Sequence, residues 1–84
     1  MFINENNQKV DYRKFESVEI HLAIKYIKGD DYVLELGARY GGVSCAINSK
    51  LKNKTHQYSV EPDYRVWNAL ETNKKNNNCK FNII

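Results

Sequence analysis

Three of the chain's four glycines fall within six residues, in the stretch Val33-Leu34-Glu35-Leu36-Gly37-Ala38-Arg39-Tyr40-Gly41-Gly42-Val43-Ser44. An apolar run carrying one carboxylate, Glu35, ends at Gly37, and the pair Gly41 and Gly42 opens a second periodic segment. Glycine at such a bend lets the backbone take positive φ and lets a ligand approach without meeting a Cβ. The amino end of the following helix would offer N–H groups and partial positive charge to a phosphate or a carboxylate. A second carboxylate, Glu61, stands 24 residues beyond Gly37 at the end of another apolar run. A strand-end acid so placed can accept two hydrogen bonds from a ribose diol. Loop and acid together point to a nucleoside-containing cofactor, against the plainer alternative of a tight turn and a solvated charge.

Two cofactor classes fit poorly. A nucleotide-hydrolysing loop needs a lysine after its last glycine, and here Val43 and Ser44 follow. The dinucleotide fingerprint G-x-G-x-x-G needs a glycine where this chain has Arg39, so close approach of a pyrophosphate is disfavoured.

These residues need a scaffold that brings strand ends together. Lys14 to Lys28 has helical periodicity, with Lys14, Ser17, His21, Lys25 and Lys28 on one polar arc. Phe15, Val18, Ile20, Leu22, Ala23, Ile24, Tyr26 and Ile27 form a wide apolar arc, which predicts packing against more than one neighbour. His21 sits among lysines, as a solvated histidine does. Gly29 suits a helix C-cap. Tyr32 to Leu36 reads as a buried strand, Gly42 to about Lys52 as a helix, and Gln57 to Glu61 as a second strand. Pro62 suits the first turn of a helix reaching about Asn76, and Cys79 to Ile84 reads as a third strand. Strands alternating with helices imply right-handed crossovers and a parallel sheet. The expected fold is α/β: a three-layer Rossmann-like half, with parallel strands in the order 3-2-1 and flanking helices. Residues 1–11 are polar and irregular and read as a loose N-terminal arm, with residues 12–84 as the cofactor-binding region.

At Val33–Ser44 and again at Tyr58–Asn77 the chain resembles class I S-adenosylmethionine-dependent methyltransferases, most closely the FkbM-like group. The first stretch supplies Glu35, Gly37, Ala38 and Gly41 of that group's loop, and the second supplies its strand-end Glu61 and Pro62. The resemblance covers about Tyr32 to Ile84 and corresponds to the N-terminal half only. It implies S-adenosyl-L-methionine as cofactor, with the glycine loop along its methionine moiety and Glu61 on its ribose. Glu35 would orient the loop or reach the amino group through water. Tyr40 would line the site or pack beneath it. The family continues through further strands that complete the adenine pocket and carry the acceptor site, so this portion is expected to be inactive alone.

The chain has 84 residues, 27% charged and 42% hydrophobic, with a net charge of +3. That composition is ordinary for one soluble domain, and its lysines are scattered rather than massed on one face, which argues against nucleic acid as a partner. No apolar run has the length of a membrane span. Cys45 and Cys79 lack metal-type spacing and read as two reduced, buried thiols, which makes the cytoplasm the expected location. The Asn76–Asn78 run reads as a helix end and turn. The expected partners are the small-molecule cofactor and, at an open sheet edge, a second copy or a complementing chain. Two other readings stand beside the methyltransferase one: a non-catalytic interaction module built on a remnant of the same fold, and a nicotinamide-cofactor-binding fragment.

Overall fold

A computed structural model describes residues 1–11 and 16–84 with their side chains and residues 12–15 as part of a helix. Lys14 and Phe15, assigned above to opposite arcs, therefore lie outside the residues described in full. The element order is β1 (Phe2–Ile3), β2 (Lys9–Val10), α1 (Tyr12–Tyr26), β3 (Val33–Leu36), α2 (Gly42–Lys50), β4 (Gln57–Val60), a short 3-10 turn (Tyr64–Val66), α3 (Trp67–Asn76) and β5 (Asn82–Ile83).

Strands β3, β4 and β5 form a parallel sheet with β4 in the middle. The register pairs Leu36 with Val60 and Ser59 with Ile83. The ends of β3 and β4 thus lie side by side, and the loops that follow them meet.

Side chains alternate across a strand, and here the alternation separates a covered face from an open one. Gln57 and Ser59 are buried beneath α2, where Gln57 Nε2 donates to the Ser44 carbonyl at 2.9 Å. Ile83, in register with Ser59, packs against the cluster of Ala38, Leu70, Cys79 and Phe81, which brings α3 to the same face. Tyr32, Leu34, Leu36 and Tyr58 on the other face are exposed, Leu34 at 65% and Leu36 at 76%. The sheet therefore carries helices on one face, where three layers are expected. The apolar run that predicted a strand covered on both faces faces solvent on one of them.

Helix α1 packs against α2 and buries Ala23. Its wide apolar arc is only partly used, since Val18, Leu22 and Ile24 stay exposed. His21 is exposed, in keeping with a solvated side chain. Gly29 is a point of close approach: a Cβ there would meet the Lys52 side chain at 3.0 Å.

Two expectations are corrected. Residues 2–10 are not loose, because β1 and β2 pair as an antiparallel hairpin that packs on α3. The hairpin turn is built by Asn4, whose Oδ1 accepts the N–H groups of Asn6 and Gln8, with Asn7 in the left-handed region at φ 61°. Phe2 is buried, and Asn73 of α3 accepts the Ile3 N–H at 2.8 Å while donating to the Ile3 carbonyl at 2.9 Å. The cysteines are not free thiols either. Cys45 on α2 and Cys79 before β5 stand with their Cα atoms 5.6 Å apart and form a disulfide, a separation within the range such bonds need. With the thiols oxidised, the cysteines no longer argue for a reducing compartment.

Buried polar groups need hydrogen-bond partners, and asparagine supplies them here. Asn48 donates to the Lys54 carbonyl and to Gln57 Oε1, and its own Oδ1 accepts the Lys80 N–H. Asn73 also donates to the Tyr40 carbonyl at 2.8 Å, which ties α3 to the glycine loop. Among the described residues no buried side-chain nitrogen or oxygen lacks a partner.

Candidate cofactor-binding site

The loop between β3 and α2 is held in left-handed backbone at three places: Gly37 at φ 87°, Arg39 at φ 50° and Gly41 at φ 91°. The first and last are conformations that glycine adopts without a steric cost. Arg39, a non-glycine residue, is held there by specific bonds. Its N–H donates to Glu61 Oε1 at 2.7 Å, and its guanidinium lies over the Tyr40 ring at 4.8 Å. Arg39 occupies the place of the middle glycine in the dinucleotide fingerprint, and the backbone still takes a glycine-like conformation at that point.

Glu61 directly follows β4 and is 7% exposed. Its second oxygen accepts the Asp63 N–H at 2.8 Å, and its carbonyl accepts the Trp67 indole N–H. One carboxylate thus fastens the loop after β3 to the turn after β4. A carboxylate has about four lone-pair positions, so each oxygen that takes one N–H keeps capacity for a ligand hydroxyl.

The other expected site residues divide between lining and support. Gly37 is open, since a Cβ built on it would meet nothing within 4 Å. Its N–H and that of Ala38 both donate to the Val60 carbonyl, at 2.8 and 3.0 Å. Ala38 itself is buried in the core cluster with Leu70 and Phe81, so it supports the loop from below. Gly41 sits against Leu70, whose Cδ1 lies 3.1 Å from where a Cβ would stand. Glu35 points under α2: its Oε1 accepts the Ser44 hydroxyl at 2.5 Å and the Ser59 hydroxyl at 2.8 Å. Burial pushes its carboxyl pKa up, the two serine hydrogen bonds pull it down, and the nearby Glu61 charge pushes it further up. Glu35 therefore joins strand to helix, and the structure does not bring it to the open side of the loop.

A cleft of about 470 Å³ opens beside Arg39 and Tyr40, walled also by Asn4, Lys9, Asp11 and Glu16. The hairpin forms one wall, and the Tyr40 hydroxyl donates to Glu5 across it at 3.0 Å. Sequence reasoning missed this wall, because its strands have two residues each and no periodicity to read. It also missed Glu16, which lines the same cleft. Burial raises the Glu16 carboxyl pKa, the backbone of Val43 lowers it, and the charges of Glu19 and Glu35 raise it again.

The arrangement fits a nucleoside-bearing group at two points: open backbone at Gly37 and a strand-end carboxylate with spare acceptor capacity at Glu61. Among the described residues no cluster of histidine, cysteine, aspartate or glutamate could hold a metal ion, and no helix is long and apolar enough to cross a membrane. No protein-family model matches the chain, and a search of curated proteins finds no match to it.

Proposed function

We propose that this chain is the N-terminal cofactor-binding portion of an S-adenosylmethionine-dependent methyltransferase, a Rossmann-like half with its strands in the order 3-2-1. The observation that carries the reading is the Glu61 carboxylate, which takes the Arg39 N–H across the ends of two parallel strands. In open parallel sheets that crevice, beyond the carboxyl ends of the strands, is where ligands bind. Glu61 would hold the ribose hydroxyls, and the backbone at Gly37 would lie along the methionine moiety. A bound sulfonium cofactor supplies the transferable methyl group. This chain's own residues bind and orient it, and catalysis of transfer falls to an acceptor site outside the elements described here.

The test is a double-mutant cycle read by calorimetry, with S-adenosylmethionine and its 2′-deoxy counterpart titrated into the parent and into Glu61→Gln. Each ribose hydrogen bond contributes about 1 kcal/mol. The parent should prefer the ribose form several-fold, and the variant should lose that preference. Equal preference in both proteins removes the ribose role, and no heat with either ligand removes the reading altogether.

A non-catalytic interaction module is the second reading, supported by the open face of Tyr32, Leu34, Leu36 and Tyr58 beside the edge strand β3. A complementing chain or a second copy would cover that face. Sedimentation of the parent and of Leu34→Lys separates this reading from a monomeric cofactor binder. A monomer in both cases contradicts it.

A further inference from the structure

Asparagine is spread over the whole chain, yet only Asn53 is followed at the second position by serine or threonine. Asn53-Lys54-Thr55 is the kind of triplet on which N-linked glycans are built, and its use requires a surface loop. A chain so rich in asparagine can meet such a triplet by chance, so what matters is where the fold puts it.

The triplet lies in the loop between α2, which ends at Lys50, and β4, which begins at Gln57. The fold turns its residues two ways. Lys54 is turned inward: its Nζ donates to the carbonyls of Asn48, Ser49 and Leu51 at 2.9, 3.2 and 2.8 Å, and its own carbonyl accepts from Asn48 Nδ2. It thereby satisfies carbonyls that the end of a helix leaves unpaired. Asn53 and Thr55 are exposed, whereas Asn48 and Asn73 are buried. Asn53 Oδ1 accepts the Thr55 N–H at 3.1 Å and the Thr55 hydroxyl at 2.6 Å. The oxygen side of the amide is thus taken up within the triplet. Nδ2, the atom that would carry a sugar, lies 3.0 Å from Nε2 of His56. An amide nitrogen bears two hydrogens, so a glycan replaces one and leaves the other for His56.

Two further observations do not depend on the motif. The Cys45–Cys79 disulfide belongs to oxidising surroundings such as the secretory lumen, which is where Asn-linked glycans are added. The loop also precedes β4, whose first residue, Gln57, pairs with Val33 at the start of β3. The glycine loop and Glu61 follow the other ends of those strands. A glycan on Asn53 would therefore stand at the opposite end of the sheet from the candidate cofactor crevice, and no inward bond of the loop has to break to make room for it.

We propose that Asn53 is an N-glycosylation acceptor, and that this chain enters an oxidising lumen where it acquires both its disulfide and its glycan. The donor is an oligosaccharide joined through C1 of its first sugar to a polyprenyl diphosphate, and a membrane oligosaccharyltransferase supplies the catalysis. The bond from C1 to the diphosphate oxygen breaks and the bond from C1 to Nδ2 forms. Nδ2 gives up one proton to a base of that enzyme, and the lipid diphosphate leaves. This inference stands apart from the cofactor reading above.

The test uses the chain recovered from the cells that naturally produce it. Its intact mass should exceed the polypeptide mass by hexose and N-acetylhexosamine increments. A peptide N-glycosidase should remove the excess and leave an aspartate in place of Asn53. Asn53→Gln and Thr55→Ala, expressed in the same cells, should both lose the glycan, although the second keeps the acceptor asparagine. In the glycosylated molecules Cys45 and Cys79 should resist alkylation until a reductant is added. An unmodified Asn53 in the parent would overturn the proposal, and that arm needs no variant to fold. So would a glycan that survives Thr55→Ala, a mass excess that maps to another residue, or a glycosylated chain with both thiols free.

Discussion

Reducing the Cys45–Cys79 bond should destabilise the protein by an amount that its position in the chain sets. The two cysteines are separated by 34 residues. In the chain-entropy account, closing a loop of that length costs the denatured ensemble about 4 kcal/mol at 25 °C. A chain of 84 residues has a total stability of about 4 to 13 kcal/mol on the usual per-residue scale. The bond is therefore worth a third of the stability at the high end and all of it at the low end. Its place adds to the effect, since Cys79 and Cys45 pack with Ala38, Leu70 and Phe81 directly beneath the glycine loop. The assay is urea unfolding followed by circular dichroism and by Trp67 fluorescence, with and without a phosphine reductant, and with the thiol state checked by mass spectrometry. The midpoint should fall steeply on reduction, or the reduced protein should be partly unfolded before denaturant is added. A Cys45→Ser/Cys79→Ser double variant should match the reduced protein. Full reduction with an unchanged midpoint would refute the reasoning.

Two further predictions address the loop and the buried acid. Gly37→Val should weaken cofactor binding through the backbone, because left-handed φ costs a side-chain-bearing residue about 1–2 kcal/mol while the space around Gly37 is open. Ala38→Val should also lower the unfolding midpoint, by about 1–3 kcal/mol through overpacking of the core, but its folded fraction should keep the parent's affinity in calorimetry, which Gly37→Val should not. The second concerns pH. Burial raises the carboxyl pKa of Glu35 above its ordinary 4.5. The folded protein then keeps a proton that the unfolded chain has already lost. Stability falls as pH rises from that ordinary value through the raised one. Glu16 contributes with the same sign. Asp63 is held down to about 2 by Arg65, so its contribution is lost only as pH falls through that value. Glu35→Gln should flatten the decline above the ordinary carboxylate range in a pH series of urea midpoints, and an unchanged slope would count against the burial of that charge.

The helices and parallel strands were legible because their periodicities are strong and because the Gly41–Gly42 pair opens α2. Gly29 and Pro62 lie between elements rather than in a cap or a first turn, since α1 stops at Tyr26 and the 3-10 turn starts at Tyr64. The positive φ at Gly37 and Gly41 was legible because few other residues could stand at that bend. What escaped depends on contacts between distant parts of the chain. The hairpin depends on Asn4 side-chain bonds and on Asn73, 70 residues from Ile3. The disulfide joins cysteines whose spacing carries no pattern, and only the packing of α2 against the turn before β5 brings them together. Asparagine, which carries no pattern along the sequence, satisfies buried backbone at Asn48 and Asn73. Glu35 shows the limit within the site itself. Alternation along a strand assigns it to one of two faces, and only the structure decides that the face belongs to α2.

The most direct test of the account is an amide chemical-shift map of the oxidised protein titrated with S-adenosylmethionine. The account predicts saturable shifts at Gly37, Arg39 and Gly41 and at Glu61 to Asp63, where the loop after β3 meets the turn after β4, with little change at Lys74, Lys75 and Lys80 on the far side. Shifts confined to the lysine side, or no saturable shift at all in a folded protein, would contradict it.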